Sequence, residues 1–178
     1  MAPQSHSHHT LSVLVENQPG VLVRVTALFS RRGFNIESLA VGPTERSDRS
    51  IITIRVDCSD VSIEQVQKQL YKLINVLKVS ELEPEGAIER ELLLVKVSAG
   101  ADKRGELIHL AEVFGARVAD VGPDALVFEI SEHPDKLGAF EELLRPYGIK
   151  ETVRTGRIGV RRAQSAEREN RPRMRVLA

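Results

Sequence analysis

One cysteine, Cys58, stands in a chain of 178 residues, so an internal disulfide framework is excluded. No apolar run reaches the length of a membrane span, and no signal-peptide pattern opens the chain. A cytoplasmic protein is the expectation. An excess of one charge is also missing: 25 Lys and Arg face 25 Asp and Glu, for a formal net charge of zero. Such a chain has no strong field to steer it toward nucleic acid or a membrane. Aromatics make up only 4% of it. An RNA-binding sheet needs them on its central strands to stack bases. The corresponding positions here hold Leu11, Val13, Ile52 and Ile54. The glycine fingerprints of nucleotide enzymes are absent as well.

Side chains for catalysis are equally sparse. His109 falls in an expected helix, and His133 precedes Pro134 at a helix start. Neither has a serine or cysteine nucleophile at a suggestive spacing, so both read as surface or capping residues. Cys58 ends a strand pattern and reads as a small core residue. His6, His8 and His9 lie ahead of the first strand in a segment without apolar periodicity. Residues 1–8 are therefore expected to form a flexible leader. At the other end Arg157, Arg161, Arg162, Arg168, Arg171, Arg173 and Arg175 are opposed only by Glu167 and Glu169. Without apolar periodicity or interleaved aromatics, residues 158–178 read as a solvated, disordered basic tail.

What the chain does have is one pattern written twice. Leu11, Val13 and Val15 alternate with Ser12, Leu14 and Glu16, which predicts a strand. Val21/Leu22, Val25 and Leu28/Phe29 recur at helical spacing, with Arg31, Arg32 and Gly33 suited to the helix end. A second strand from about Asn35 to Val41, a turn-rich segment over 43–49, and a third strand with Ile52, Ile54 and Val56 follow. Ser62 and Gln65 give a capping-box signature for a helix burying Ile63, Val66, Leu70 and Leu73/Ile74. Val76 to Leu82 closes the unit as a fourth strand. After a linker at 84–89, the same βαββαβ order returns over 90–157, with helices ending at Gly115 and Gly148. The expected fold class is α+β: two ferredoxin-like units, over 9–83 and 90–157. Each has roughly 70 residues, a size at which a single core is marginal. The open sheet faces and strand edges then need cover, so an oligomer, most simply a dimer, is expected.

The loop Asn17-Gln18-Pro19-Gly20-Val21-Leu22 joins the first strand to the first helix. Pro19-Gly20 forces a turn. The first amides of the following helix lack intrahelical acceptors, and the dipole there favours an anion such as a carboxylate. Asn17 adds a neutral donor and acceptor. A tight strand-to-helix connection with solvated amides satisfies the same residues.

The run from His9 through Glu16-Asn17-Gln18-Pro19-Gly20-Val21-Leu22 resembles the opening of an ACT domain. Its continuation Phe29-Ser30-Arg31-Arg32-Gly33-Phe34-Asn35-Ile36-Glu37-Ser38-Leu39 closely resembles the small, regulatory subunit of acetolactate synthase. Gln69–Val76 and Glu89–Val97 add further matches. The resemblance spans residues 9–157 and makes 9–83 the ACT domain. It implies a non-catalytic subunit that activates a large thiamine-diphosphate enzyme and confers feedback inhibition by valine. That large subunit, joining a pyruvate-derived two-carbon unit to a 2-oxo acid, would carry thiamine diphosphate, Mg and FAD; this chain would bind no cofactor.

By the same resemblance the effector sits between two ACT domains of a homodimer. Asn17, Gly20, Val21 and Leu22 would hold its carboxylate and ammonium groups, and Asn35 and Ile36 of the neighbouring subunit would complete the pocket. Gln65 matches a further position implicated in effector response. The chemistry agrees: free amides for a carboxylate, side-chain amides for an ammonium, aliphatics for an isopropyl group. The chain end, Thr155-Gly156-Arg157-Ile158-Gly159-Val160-Arg161-Arg162, departs from the family's short closing segment. Two other readings stay open here: a free-standing ACT amino-acid sensor serving another enzyme, and a nucleic-acid-binding module using the basic tail.

Overall fold

The computed structural model describes residues 8–59 and 62–163. In the first unit β1 (His8–Glu16), α1 (Val21–Arg32), β2 (Asn35–Pro43), β3 (Arg49–Asp57), α2 (Ile63–Leu70) and β4 (Val76–Glu81) follow in the expected order. The second repeats it with β5 (Ala87–Ser98), α3 (Arg104–Phe114), β6 (Arg117–Val121), β7 (Ala125–Glu132), α4 (Pro134–Leu144) and β8 (Ile149–Arg154). The strand orders are β2-β3-β1-β4 and β6-β7-β5-β8, antiparallel throughout. Each is a ferredoxin-like sheet, with β2 and β6 as equivalent edge strands.

Alternation decides which sheet face is buried. Leu11, Val13 and Val15 of β1 lie with Ile52, Ile54 and Val56 of β3 against Val25 and Phe29 of α1 and Val66 and Leu70 of α2. The α1 stripe buries Val21, Val25, Leu28 and Phe29, and Gly33 closes the helix by donating to the Phe29 and Ser30 carbonyls. The α2 stripe is shorter than expected. That helix stops at Leu70, Leu73 packs only at the core's edge, and Ile74 is 85% exposed. Its capping box is half formed: Ser62 Oγ accepts the Gln65 amide at 3.4 Å.

The second core gathers Leu93, Val95 and Val97 of β5 with Leu126, Phe128 and Ile130 of β7 under Leu107, Leu137, Phe140 and Leu144. Its polar seam runs through Arg154. This guanidinium bridges Glu91 (Nη1 to Oε2, 2.8 Å) and Glu141, and both carboxylates are largely buried. Arg154→Met would strand two carboxylates beside an apolar side chain. Removing one member of a buried ionic group leaves the others uncompensated, and Arg154 is itself partly solvated. A loss of about 3 kcal/mol is expected, at the low end for such a group. Urea unfolding followed by circular dichroism checks it; a change below about 1 kcal/mol would mean the seam carries no stability.

Three boundaries depart from the sequence expectation. His8, placed in the leader, is the first residue of β1, and residues 1–7 lie outside the described residues. Of the linker over 84–89, Ala87 and its followers already belong to β5. The basic tail expected from 158 onward instead opens with β9 (Ile158–Arg161), paired antiparallel to Ala87–Arg90 of β5. The rest of that tail, from 164 on, lies outside the described residues.

The physical reason for β9 is an open sheet face. The β5–β9 ribbon lies over the first sheet on the side away from its helices. A hollow of about 270 Å³ lies between them, bordered by Ser12, Leu14, Ile51, Lys78 and Ser80 on the sheet side and by Gly159, Val160 and Arg161 on the ribbon side. Cover expected from another domain or subunit thus comes in part from the same chain. Among the described residues no helix is long and apolar enough to cross a membrane.

Candidate functional site

The loop between β1 and α1 is pinned from both sides. The Asn17 amide donates to the Asp48 carbonyl at 2.8 Å, and Asn17 Nδ2 donates to the Ser47 carbonyl at 3.1 Å. The β2–β3 hairpin therefore supports the loop. Behind it, Asn75 is buried and uses its whole amide: Nδ2 donates to Glu16 Oε2 at 2.7 Å, and Oδ1 accepts Arg24 Nη1 at 2.9 Å. The Asn75 carbonyl also accepts the Glu16 amide at 3.0 Å. Nothing in the local pattern around Asn75 marked this bridge. Its partners lie 51 and 59 residues away in the chain.

Gly20 is the N-cap of α1, with φ +82° and ψ −3°, a left-handed conformation that suits glycine. It supplies no side-chain cap, and the first turn of α1 contains no acidic residue. The other described α-helices differ. Ser62 caps α2, His133 caps α4, and Glu106 stands in the first turn of α3. The Val21 amide reaches the Gln18 carbonyl at 3.4 Å, but the α1 terminus keeps its remaining first-turn donors and its positive dipole end without a side chain that neutralises them.

The structure separates the residues expected at the site into two groups. Asn17, Gly20 and Leu22 are exposed together at the β1–α1 loop. Val21 belongs with them by its backbone only, since its side chain is buried in the first core. Asn35 and Ile36 begin β2 at the other end of the sheet. Asn35 pairs with Asp57, which pairs in turn with His8, whereas Glu16 pairs with Arg49. Gln65 is exposed on the first turn of α2. It borders a hollow of about 450 Å³ with Arg32, Phe34, Lys68 and Gln69. Within one chain the two groups do not meet.

The remaining candidates are structural. His133 Nδ1 accepts the Asp135 amide at 3.4 Å, the capping role expected of it. His109 is exposed on α3, near Glu112. Cys58 is partly buried against the first core, and burial pushes its thiol pKa up, away from nucleophilic use.

Comparison with known proteins bears on both units. Residues 11–78 match the profile of the AHAS small subunit-like ACT domain, and residues 90–163 match that of the small subunit of acetolactate synthase. The acetolactate synthase small subunit of Mycolicibacterium smegmatis is 52% identical over 154 residues, covering 86% of this chain and 91% of that one. That of Mycobacterium bovis is 51% identical over 162 residues, covering 91% and 95%. The crystal structure of the acetolactate synthase small subunit from Thermotoga maritima superposes with a TM-score of 0.80 at 41% identity, covering 87% of this chain and 97% of that one. With both units matched and the two-unit architecture shared, the chain belongs to the acetolactate synthase small-subunit family.

Proposed function

We propose that this chain is the regulatory subunit of an acetolactate synthase, raising the activity of a large catalytic subunit and making it sensitive to valine. Family membership over both units supports this reading, and the uncapped, acid-free N-terminus of α1 carries the effector assignment. An amino acid would place its carboxylate on the first-turn amides beyond Gly20. Its isopropyl group would lie near Leu22, which is 40% exposed. The carbonyl and amide groups around Asn17 would meet its ammonium. The reaction belongs to the transferase class, for branched-chain amino acid biosynthesis in the cytoplasm. Thiamine diphosphate, Mg and FAD are assigned to the large subunit.

A homodimer through the ACT domains completes the pocket. Strand β2 is an edge strand of its sheet. Two such edges paired antiparallel about a two-fold axis bring the Asn35 end of one beside the Pro43 end of the other. Since Pro43 pairs with Ser50 and Glu16 with Arg49, the Asn17 loop lies at that same end of the sheet. The two groups of site residues, apart in one chain, then converge across the interface.

Reconstitution tests the reading. Added to its purified large subunit, this chain should raise acetolactate formation several-fold and confer inhibition by valine, while alone it forms none. Acetolactate formation by the purified small chain, or an unchanged rate on mixing, would overturn it. Co-purification with a different metabolic enzyme would favour the free-standing sensor.

A further inference from the structure

Strand β2 is bulged. Ile36 pairs with Val56 and Ser38 with Arg55, so Glu37 is the extra residue. A bulge bends its strand and re-aims the neighbouring side chains, and here the neighbours are Asn35 and Ile36. Both flanks are held in place. The Glu37 carboxylate lies 3.2 Å from Arg55 Nε and 2.6 Å from His8 Nε2. Ser38 Oγ accepts the amide of Arg157 at 2.9 Å, across 119 residues of chain.

The segment that reaches Ser38 is itself tightly fixed. Gly156 has φ +81°, and a Cβ added there would lie 3.0 Å from both the Leu39 carbonyl and Ser38 Oγ. Only a bare backbone fits this close to β2 without displacing it. Arg157 Nη1 pairs with Glu89 Oε2 at 2.8 Å, with both side chains largely buried. On one side the Thr155 amide donates to the Leu92 carbonyl at 3.1 Å. On the other, β9 runs along β5, and the Arg162 amide donates to the Gly86 carbonyl at 2.9 Å.

We propose that Thr155, Gly156 and Arg157 are positioning residues of the effector pocket. Acting through Ser38, they hold the bulged β2 in the shape that presents Asn35 and Ile36, and so tie effector occupancy to the β5–β9 ribbon of the second unit. This rests on the effector reading above. Coupling of this kind is reciprocal: an effector that steadies β2 also steadies the ribbon, and a displaced strap weakens the effector by the same factor.

Amide hydrogen exchange on the full chain, with and without L-valine, tests this with no variant. The expected result is slower exchange over β2 and, together with it, at the amides of Arg157, Arg162 and β9. Slowing over β2 with no change at 157–162 overturns the strap while leaving the effector reading intact. No slowing over β2 overturns the effector reading and the strap with it.

Calorimetric titration with L-valine adds a second measurement. Gly156→Ala should weaken binding about tenfold, within the usual range of coupled sites, and Ser38→Ala in the same direction by less. Gly20→Asp serves as the control that removes the site itself. Should Gly156→Ala fail to fold, Ser38→Ala and Glu89→Gln carry the titration. Wild-type affinity in every folded strap variant overturns the proposal.

Discussion

Gly20→Asp should give a subunit that folds and still activates its large partner but leaves the enzyme resistant to valine. The backbone at Gly20 is left-handed, and a side chain there costs about 1–2 kcal/mol, less for aspartate than for most residues. Beyond the adjoining residues of the chain nothing lies within 4 Å of the added Cβ, so the cost is the backbone conformation and not a clash. The helix dipole and open first-turn amides return about 0.3–1 kcal/mol to an acidic residue at this end. Folding therefore survives.

The effector's own carboxylate meets a like charge instead of open amides. At an effective dielectric of about 20, two such charges some 4 Å apart repel by about 4 kcal/mol. That corresponds to roughly three orders of magnitude in affinity. Gly20→Ala carries the backbone strain without the charge and should stay within about tenfold of wild type. Valine titrations of the reconstituted enzyme with the three subunits separate the two effects. An inhibition curve unchanged by Gly20→Asp would remove the effector site from this loop.

Phe140→Ala should be the most damaging single truncation in the second unit. Phe140 is fully buried, with ring centroids 5.2 Å from Phe114 and 6.0 Å from Phe128. Removing a core phenylalanine costs about 3–5 kcal/mol, the transfer of the ring plus the cavity it leaves. A domain of this size has only about 5 kcal/mol in total. The expected result is an early urea transition with lost protection over β5, β7 and β9, while β1 and β3 stay protected. A midpoint shift worth less than about 1 kcal/mol would show that Phe114 and Phe128 close over the gap.

Much of this architecture is written in local sequence pattern. The alternation of Leu11, Val13 and Val15, and the helical spacing of Val21, Val25 and Leu28, concern neighbours within a few residues, where side-chain direction follows backbone geometry. The same holds for Gly33 behind α1 and for His133 and Pro134 at the start of α4. Where a local signal was weak it misled. The apolar spacing continues to Ile74 in the sequence, but α2 ends at Leu70 and Ile74 is left in solvent.

The site was legible by halves. Asn17, Pro19 and Gly20 announce a loop fit for an anion because turn chemistry and free helix amides are local properties. That α1 lacks a cap and a first-turn acid is readable there too. That Asn35, Ile36 and Gln65 stand at the opposite end of the unit is not, because the distance depends on how β2 and β3 register.

By itself, then, the sequence determined the two βαββαβ units, the faces their strands bury and the anion-ready turn at Gly20. Periodicity and backbone preference act over a few residues. Only the tertiary structure decided that Ile158–Arg161 form a strand, that Asn75 braces Glu16, and that Arg157 reaches Ser38. A four-residue strand amid arginines has little pattern of its own, and its partners lie far away in the chain. It is ordered because the Ala87–Arg90 end of β5 runs past its pairing with β7 and β8 and the first sheet has an uncovered face, and both exist only once the two units have folded.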